Sequence, residues 1–246
     1  QKPSFDQLSE VGPVILEKVK LARNARVIGK EATTDHASRS RVNRAYSYDS
    51  NSISVVAIGS STGGTEALRK VFERFPNSIP PVVVVQHIPP IFSKAFADRM
   101  NALFPFEVLE GANGMEILPN RIIIAPGGSQ MTIRRSGNSR TIVIDPTAPP
   151  TNRHKPSVDV LFDSVLENYG KDSIGVILTG MGSDGAKGLL KLRKAGARTL
   201  GQNEESSVVY GMPRAAHELG AVERQLDIHE ISDAILELSA LRTSAA

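Results

Sequence analysis

The chain has 246 residues, 40% hydrophobic and 22% charged, enough for one substantial domain with an appendage, and no apolar stretch approaches the ~20 residues of a membrane helix. It has no cysteine, which excludes a disulfide framework and thiolate chemistry, and no secretory signal pattern opens it, so a cytoplasmic setting is expected. The net charge of +3 arises in residues 1–50, with nine Lys and Arg against six Asp and Glu, leaving twenty of each sign in 51–246; a folded part so balanced argues against nucleic-acid binding.

The chain begins with Gln1 rather than Met, which suggests a processed product or a piece of a longer protein. From Pro13 to Ala25, proline at a first helical position and Ile15, Val19 and Ala22 at helical spacing predict one amphipathic helix. Residues 26–52 are polar and basic, the composition of a linker. A first β-branched run follows, ISVVAI at 53–58, then a helical stretch at 64–75, VVVVQ at 82–86 and a helix over 91–103. RIIIA at 121–125 is the third apolar run, and alternation through 130–144 about a Gly-Asn pair predicts a β-hairpin. Helix 157–169, the run IGVIL at 174–178 and helices over 185–195 and 229–241 complete the pattern. Continuous apolar runs suit strands buried on both faces of a parallel sheet. The fold expected is therefore α/β, a doubly wound, mostly parallel sheet with helices on both faces and an inserted β-hairpin. The expected division is a helix and basic linker over 1–52 and the α/β domain over 53–246.

In an open α/β sheet, ligands and catalytic groups gather at the carboxyl ends of the strands, so the residues after each run matter most. Gly59-Ser60-Ser61-Thr62-Gly63 follows the first and fits G-x-S-x-G centred on Ser61, with a helix after it. Strand, tight turn and helix are the context of a nucleophile elbow, and helix amides beyond it can stabilise an oxyanion. The turn also reads as a plain helix cap. A phosphate-cradling reading fails because Thr65-Glu66 stands where Lys-Ser/Thr is needed.

His87 follows the second run and suits a general base at the same sheet edge; a hydrogen-bonded structural histidine is its other reading, and His154 ranks second as base. After the IGVIL run comes Gly180-Met181-Gly182-Ser183-Asp184-Gly185, literally G-x-G-x-x-G with Glu204 beyond it, the best support for a dinucleotide enzyme. An acid inside the loop disfavours pyrophosphate but suits the orientation of an imidazole, while the Met181 amide is available for an oxyanion. Asp184 also reads as a cap of the helix after it. Ser61, His87 and Asp184 are expected on one sheet edge, with His87 between the other two. Dispersed histidines suggest no metal site, and no cofactor is expected.

The stretches AIGSSTGGTEALR (57–69), VVVQHIPPIFSKAFADRMN (83–101), RIIIAPGG (121–128), KPSVDVLFDSV (155–165), GVILTGMGSDGAKGLL (175–190) and QNEESSVVYGMPRAA (202–216) closely resemble the chemotaxis protein-glutamate methylesterases of the CheB type. The resemblance covers nearly all of 53–238. It implies Ser61 as nucleophile, His87 as base, Asp184 as acid, and an oxyanion hole from the amides of Met181 and Thr62. Ser60 stands where the family often has Ala, and Lys155 where Arg is common. The resemblance further implies hydrolysis of glutamyl methyl esters on bacterial chemoreceptors with release of methanol, and deamidation of receptor glutamines by the same acyl chemistry. Implied partners are the methylated cytoplasmic helices of chemoreceptors and an upstream receiver domain, with no nucleic acid and no membrane insertion. A dinucleotide enzyme and a non-catalytic receptor-binding adaptor remain the competing readings.

Overall fold

A computed structural model describes residues 55–137 and 139–240; the expected helix at 13–25 and the linker lie outside them. Nine strands run in chain order: β1 (Val55–Ser60), β2 (Val82–Gln86), β3 (Glu107–Glu110), β4 (Arg121–Ile124), β5 (Gln130–Ser136), β6 (Ser139–Asp145), β7 (Ser173–Ile177), β8 (Arg198–Gln202) and β9 (Arg224–Leu226). The helices are α1 (Gly64–Glu73), α2 (Pro90–Leu103), α3 (Val158–Tyr169), α4 (Ala186–Lys194), α5 (Met212–Glu218) and α6 (Ile231–Ala240). Seven strands form one sheet in the order β3-β4-β2-β1-β7-β8-β9, with every neighbouring pair parallel. Strands β5 and β6 pair antiparallel as a separate hairpin.

Side chains alternate across the sheet because successive residues of a strand point to opposite faces. Val56, Ile58, Val82, Val84, Ile122 and Ile124 share one core with Leu68 and Phe72 of α1, Met100 of α2 and Ile235 of α6. Val55, Ala57, Val83, Val85 and Ile123 share the other with Leu161 and Phe162 of α3, Leu189 of α4 and Met212 of α5. The hairpin adds Met131, Ile133 and Ile142 to that second core. Every residue of β1 and β2 is buried, and each fully buried Val or Ile contributes about 1.5–3 kcal/mol. Apolar runs without alternation therefore mark the middle of a two-faced sheet.

The sequence reading passed over β3, β8 and β9. Their cause is common: β3 begins on an exposed glutamate and ends on another glutamate, β8 is Arg-Thr-Leu-Gly-Gln, and β9 has only three residues. Strands at and near a sheet's edges need fewer apolar side chains than central ones. The chain steps outward from β1 through β2 to one side, then restarts at β7 on the other. The place between β1 and β7 is thus where the winding reverses, and such a place opens a crevice at the strands' carboxyl ends.

Candidate active site

Ser61, His87 and the loop carrying Asp184 leave β1, β2 and β7 at that carboxyl edge. All three lie on one edge, as anticipated, but the strand order puts Ser61's strand in the middle rather than His87's. The reason is topological, because β1 is the strand that both halves of the sheet are wound upon.

Short hydrogen bonds sew the strand ends together. Ser61 N–H donates to Thr179 O at 3.0 Å, and His87 N–H to Ser60 O at 3.0 Å. Gln86 is 3% exposed and takes the Ser60 hydroxyl at 2.7 Å on Oε1. Its Nε2 donates to the carbonyls of both Ser61 and His87, at 2.9 Å each. This glutamine, unnoticed in the sequence, locks the turns that carry Ser61 and His87 to each other; a polar residue closing an apolar run was the available signal. The helix after Ser61 starts on Gly64, where a Cβ would stand 2.1 Å from Gln86 Oε1 and 2.8 Å from Ser60 Cβ. No side chain fits there while the lock is closed.

Asp184 is 1% exposed. His87 Nε2 lies 2.8 Å from its Oδ2, which also takes the Val158 N–H at 2.7 Å. Oδ1 takes Asn152 Nδ2 at 2.7 Å, the Ser157 hydroxyl at 2.8 Å and the Asp159 N–H at a longer 3.4 Å. Burial alone would push this carboxyl up; the bonds from His87, Asn152, Val158 and Ser157 outweigh it and hold the pKa at about 2. Asp184 does cap a helix, but not the one that follows it. The N-cap of α4, Gly185, makes no side-chain cap, and the first-turn amide of Gly188 is taken by Asp159, whereas the Asp184 carboxylate sits on the first amides of α3, where the helix dipole favours an anion.

An ionised carboxylate only accepts hydrogen bonds, so His87 must present Nε2–H to it. The neutral ring then carries its lone pair on Nδ1, which is buried without a hydrogen-bond partner among the described residues. A buried acceptor left open carries a free-energy cost of about 1–3 kcal/mol. It is also the atom a general base needs. The ring of His154, the second-ranked base, stacks on His87, centroids 3.7 Å apart and planes at 8°.

The loop after β7 closes on Ser61. A Cβ at Gly180 would fall 2.7 Å from Ser61 Cβ, so this glycine permits the close approach of the loop to the serine. Among the described residues, neither the Thr62 nor the Met181 amide donates a hydrogen bond within the protein. The carboxylate of Asp184 is turned inward onto α3 and His87, so the loop that matched a dinucleotide pattern already holds its own buried anion. Among the described residues there is no cluster of three or more metal-ligating side chains, and no helix is long and apolar enough to cross a membrane.

Known proteins similar to the chain share one family. A family model described as CheB methylesterase matches residues 56–235. A protein-glutamate methylesterase/protein-glutamine glutaminase 1 of Rhizobium johnstonii is 55% identical over 188 residues, 76% of this chain and 54% of the relative. The corresponding protein numbered 2 of Hahella chejuensis is 43% identical over 249 residues, 97% of this chain and 67% of the relative. Among solved structures, the Thermotoga maritima CheB methylesterase catalytic domain superposes with a TM-score of 0.73 at 35% identity, covering 75% of this chain and 98% of that one. The chain thus spans about half to two thirds of the length of these curated relatives.

Proposed function

Because the chain belongs to the CheB methylesterase family, we propose that it hydrolyses glutamyl methyl esters on the cytoplasmic helices of bacterial chemoreceptors. The observation that carries the chemistry is the His87–Asp184 pair, with Nε2 committed to the acid at 2.8 Å and Nδ1 open beside the strand that delivers Ser61. Ser61 Oγ attacks the ester carbonyl while His87 Nδ1 takes its proton. Asp184 supports the imidazolium that forms and fixes the tautomer. The tetrahedral oxyanion takes the amides of Thr62 and Met181. Collapse expels methoxide, which receives the proton from His87 and leaves as methanol. Water, deprotonated by the same nitrogen, then hydrolyses the acyl-enzyme to free glutamate and Ser61.

A glutamine side chain offers the same carbonyl with ammonia as leaving group. The glutaminase half of the relatives' names favours that second activity. We assign residues 53–246 to catalysis and 1–52 to the remnant of an upstream regulatory domain plus its linker, a division supported by the start of the family match at residue 56. An upstream receiver fits the greater length of the relatives, and a cytoplasmic site of action follows from the proposed substrate.

The deciding experiment is methanol release from membranes bearing methylated receptors, with Ser61→Ala as control. Release that depends on Ser61 supports the reading. No release from the intact chain, or release equal in the Ser61→Ala variant, overturns it in favour of a binding role or a different nucleophile.

A further inference from the structure

Asn152 and Arg153 are consecutive non-glycine residues in the left-handed region, with φ of 52° and 67°. They form the two-residue tip of a tight turn. Thr151 N–H donates to His154 O at 3.0 Å and His154 N–H returns to Thr151 O at 2.8 Å. Turns of this hand favour glycine or asparagine at their tip, and two side-chain-bearing residues there store backbone strain. What the turn holds in exchange lies inward. Asn152 Nδ2 gives one hydrogen to Asp184 Oδ1 at 2.7 Å and the other to Asp159 Oδ2, also at 2.7 Å. Both carboxylates are buried, 1% and 8% exposed. At the far side of the same turn, the His154 ring lies flat against His87.

We infer that Asn152 is a positioning residue of the catalytic site: its amide fixes the rotation of the Asp184 carboxylate so that Oδ2 faces His87, and holds the neighbouring Asp159 carboxylate off that contact. Two like charges at such proximity repel in a buried setting, and a shared donor between them offsets this. Asp159 is tethered on its other oxygen by the Gly188 N–H at 2.7 Å, so it cannot withdraw without giving up α4. Asp184 Oδ1 keeps the Ser157 hydroxyl at 2.8 Å when Asn152 is lost, so impairment rather than abolition follows. The inference rests on the esterase reading for its consequence in turnover, but the carboxylate's rotation is observable without substrate.

The test compares Asn152→Gly with Arg153→Gly. Glycine suits the left-handed backbone at either position, so both variants keep the turn, and only the first removes the amide. Asn152→Gly is expected to lower kcat for methanol release on the order of 10-fold to 100-fold, the scale of one charge-assisted hydrogen bond, with KM little changed. It should also shift the ¹⁵N resonances of the His87 ring in the resting protein. Arg153→Gly is expected to match the parent in both. Asn152→Ser, with one donor and a shorter reach, provides a second variant should the glycine form not fold, and is expected to move the same signals. A folded Asn152 variant with parental kcat and unchanged His87 resonances overturns the inference. If the parent chain releases no methanol, the esterase reading fails and the resonances still decide this one.

Discussion

Asp184 is a carboxylate almost without contact to water, yet its pKa lies at about 2, below the ordinary 3.8 of an aspartate. Its folded value is depressed, so its contribution to stability is complete above the unfolded value and is lost as pH falls from about 4 toward 2. The difference corresponds to about 2 kcal/mol. Asp159 works in the opposite sense: burial and then the Asp184 charge raise its pKa, against the bonds from Gly188 and Asn152, so what it contributes fades as pH rises. Paired thermal melts of the parent and Asp184→Asn isolate the first effect. The gap between them is expected to narrow from pH 5 to pH 2, and a constant gap would mean that Asp184 is not ionised at neutral pH. The same residue ranks third in the proposed chemistry. Ser61→Ala removes the nucleophile and His87→Ala the base, so each should abolish most methanol release. Asp184→Ala should leave a measurable residue of it, although an Asp-to-Asn change in such a triad has cost about 10⁴-fold where it selects the wrong tautomer. Ser61→Ala/Asp184→Ala should be no slower than Ser61→Ala, because groups acting as one unit are not additive. Wild-type turnover in a folded Asp184→Ala would reduce Asp184 to a helix cap and turn attention to Asp159.

Among the elements, the meeting of β1, β2 and α1 is the tightest place near the site. Gln86 bonds Ser60, Ser61 and His87 at once, and α1 starts against its amide with no room for a side chain at Gly64. Gly64→Ala drives a methyl into Gln86 Oε1, and either the glutamine or the helix start must move. The expected cost is about 1–3 kcal/mol together with a larger loss of methanol release, because the displaced amide is the one that ties the Ser61 turn to the His87 turn. Denaturant melts beside initial rates check this; a variant that is destabilised but fully active would show that the lock serves the fold alone. Helix α3 is joined to the same edge from the other side, through its first amide and the Ser157 hydroxyl on Asp184. The proposed acid of the triad is thus also a structural anion, so melts must accompany every Asp184 rate.

For the molecule as a whole, seven parallel strands place their carboxyl ends along one edge, and the proposed catalytic part lies within residues 53–246. A chain beginning at residue 53 is expected to release methanol at the rate of the 246-residue chain. A longer protein with an unphosphorylated receiver upstream should be slower than either, if the receiver obstructs the site; a slower short chain would count against inhibition. The sequence by itself determined the doubly wound class, since β-branched runs such as VVVVQ and ISVVAI, without polar alternation and alternating with helical stretches, suit strands covered on both faces. It also located Ser61, His87 and Asp184, because in such a sheet the residue just after an apolar run stands at the carboxyl edge whatever the strand order. The strand order itself was not in the sequence: pairing depends on which helices cover which face, and this put β1 between β2 and β7. Nor were the contacts of Asn152, Ser157, Gln86 and His154 legible there. Asn152 lies 32 residues from Asp184 and bonds it, and His154 stacks on a ring from another strand end. No periodicity links such positions, because a side chain's reach across a folded edge is set by the packing of whole elements and leaves no local pattern in the chain.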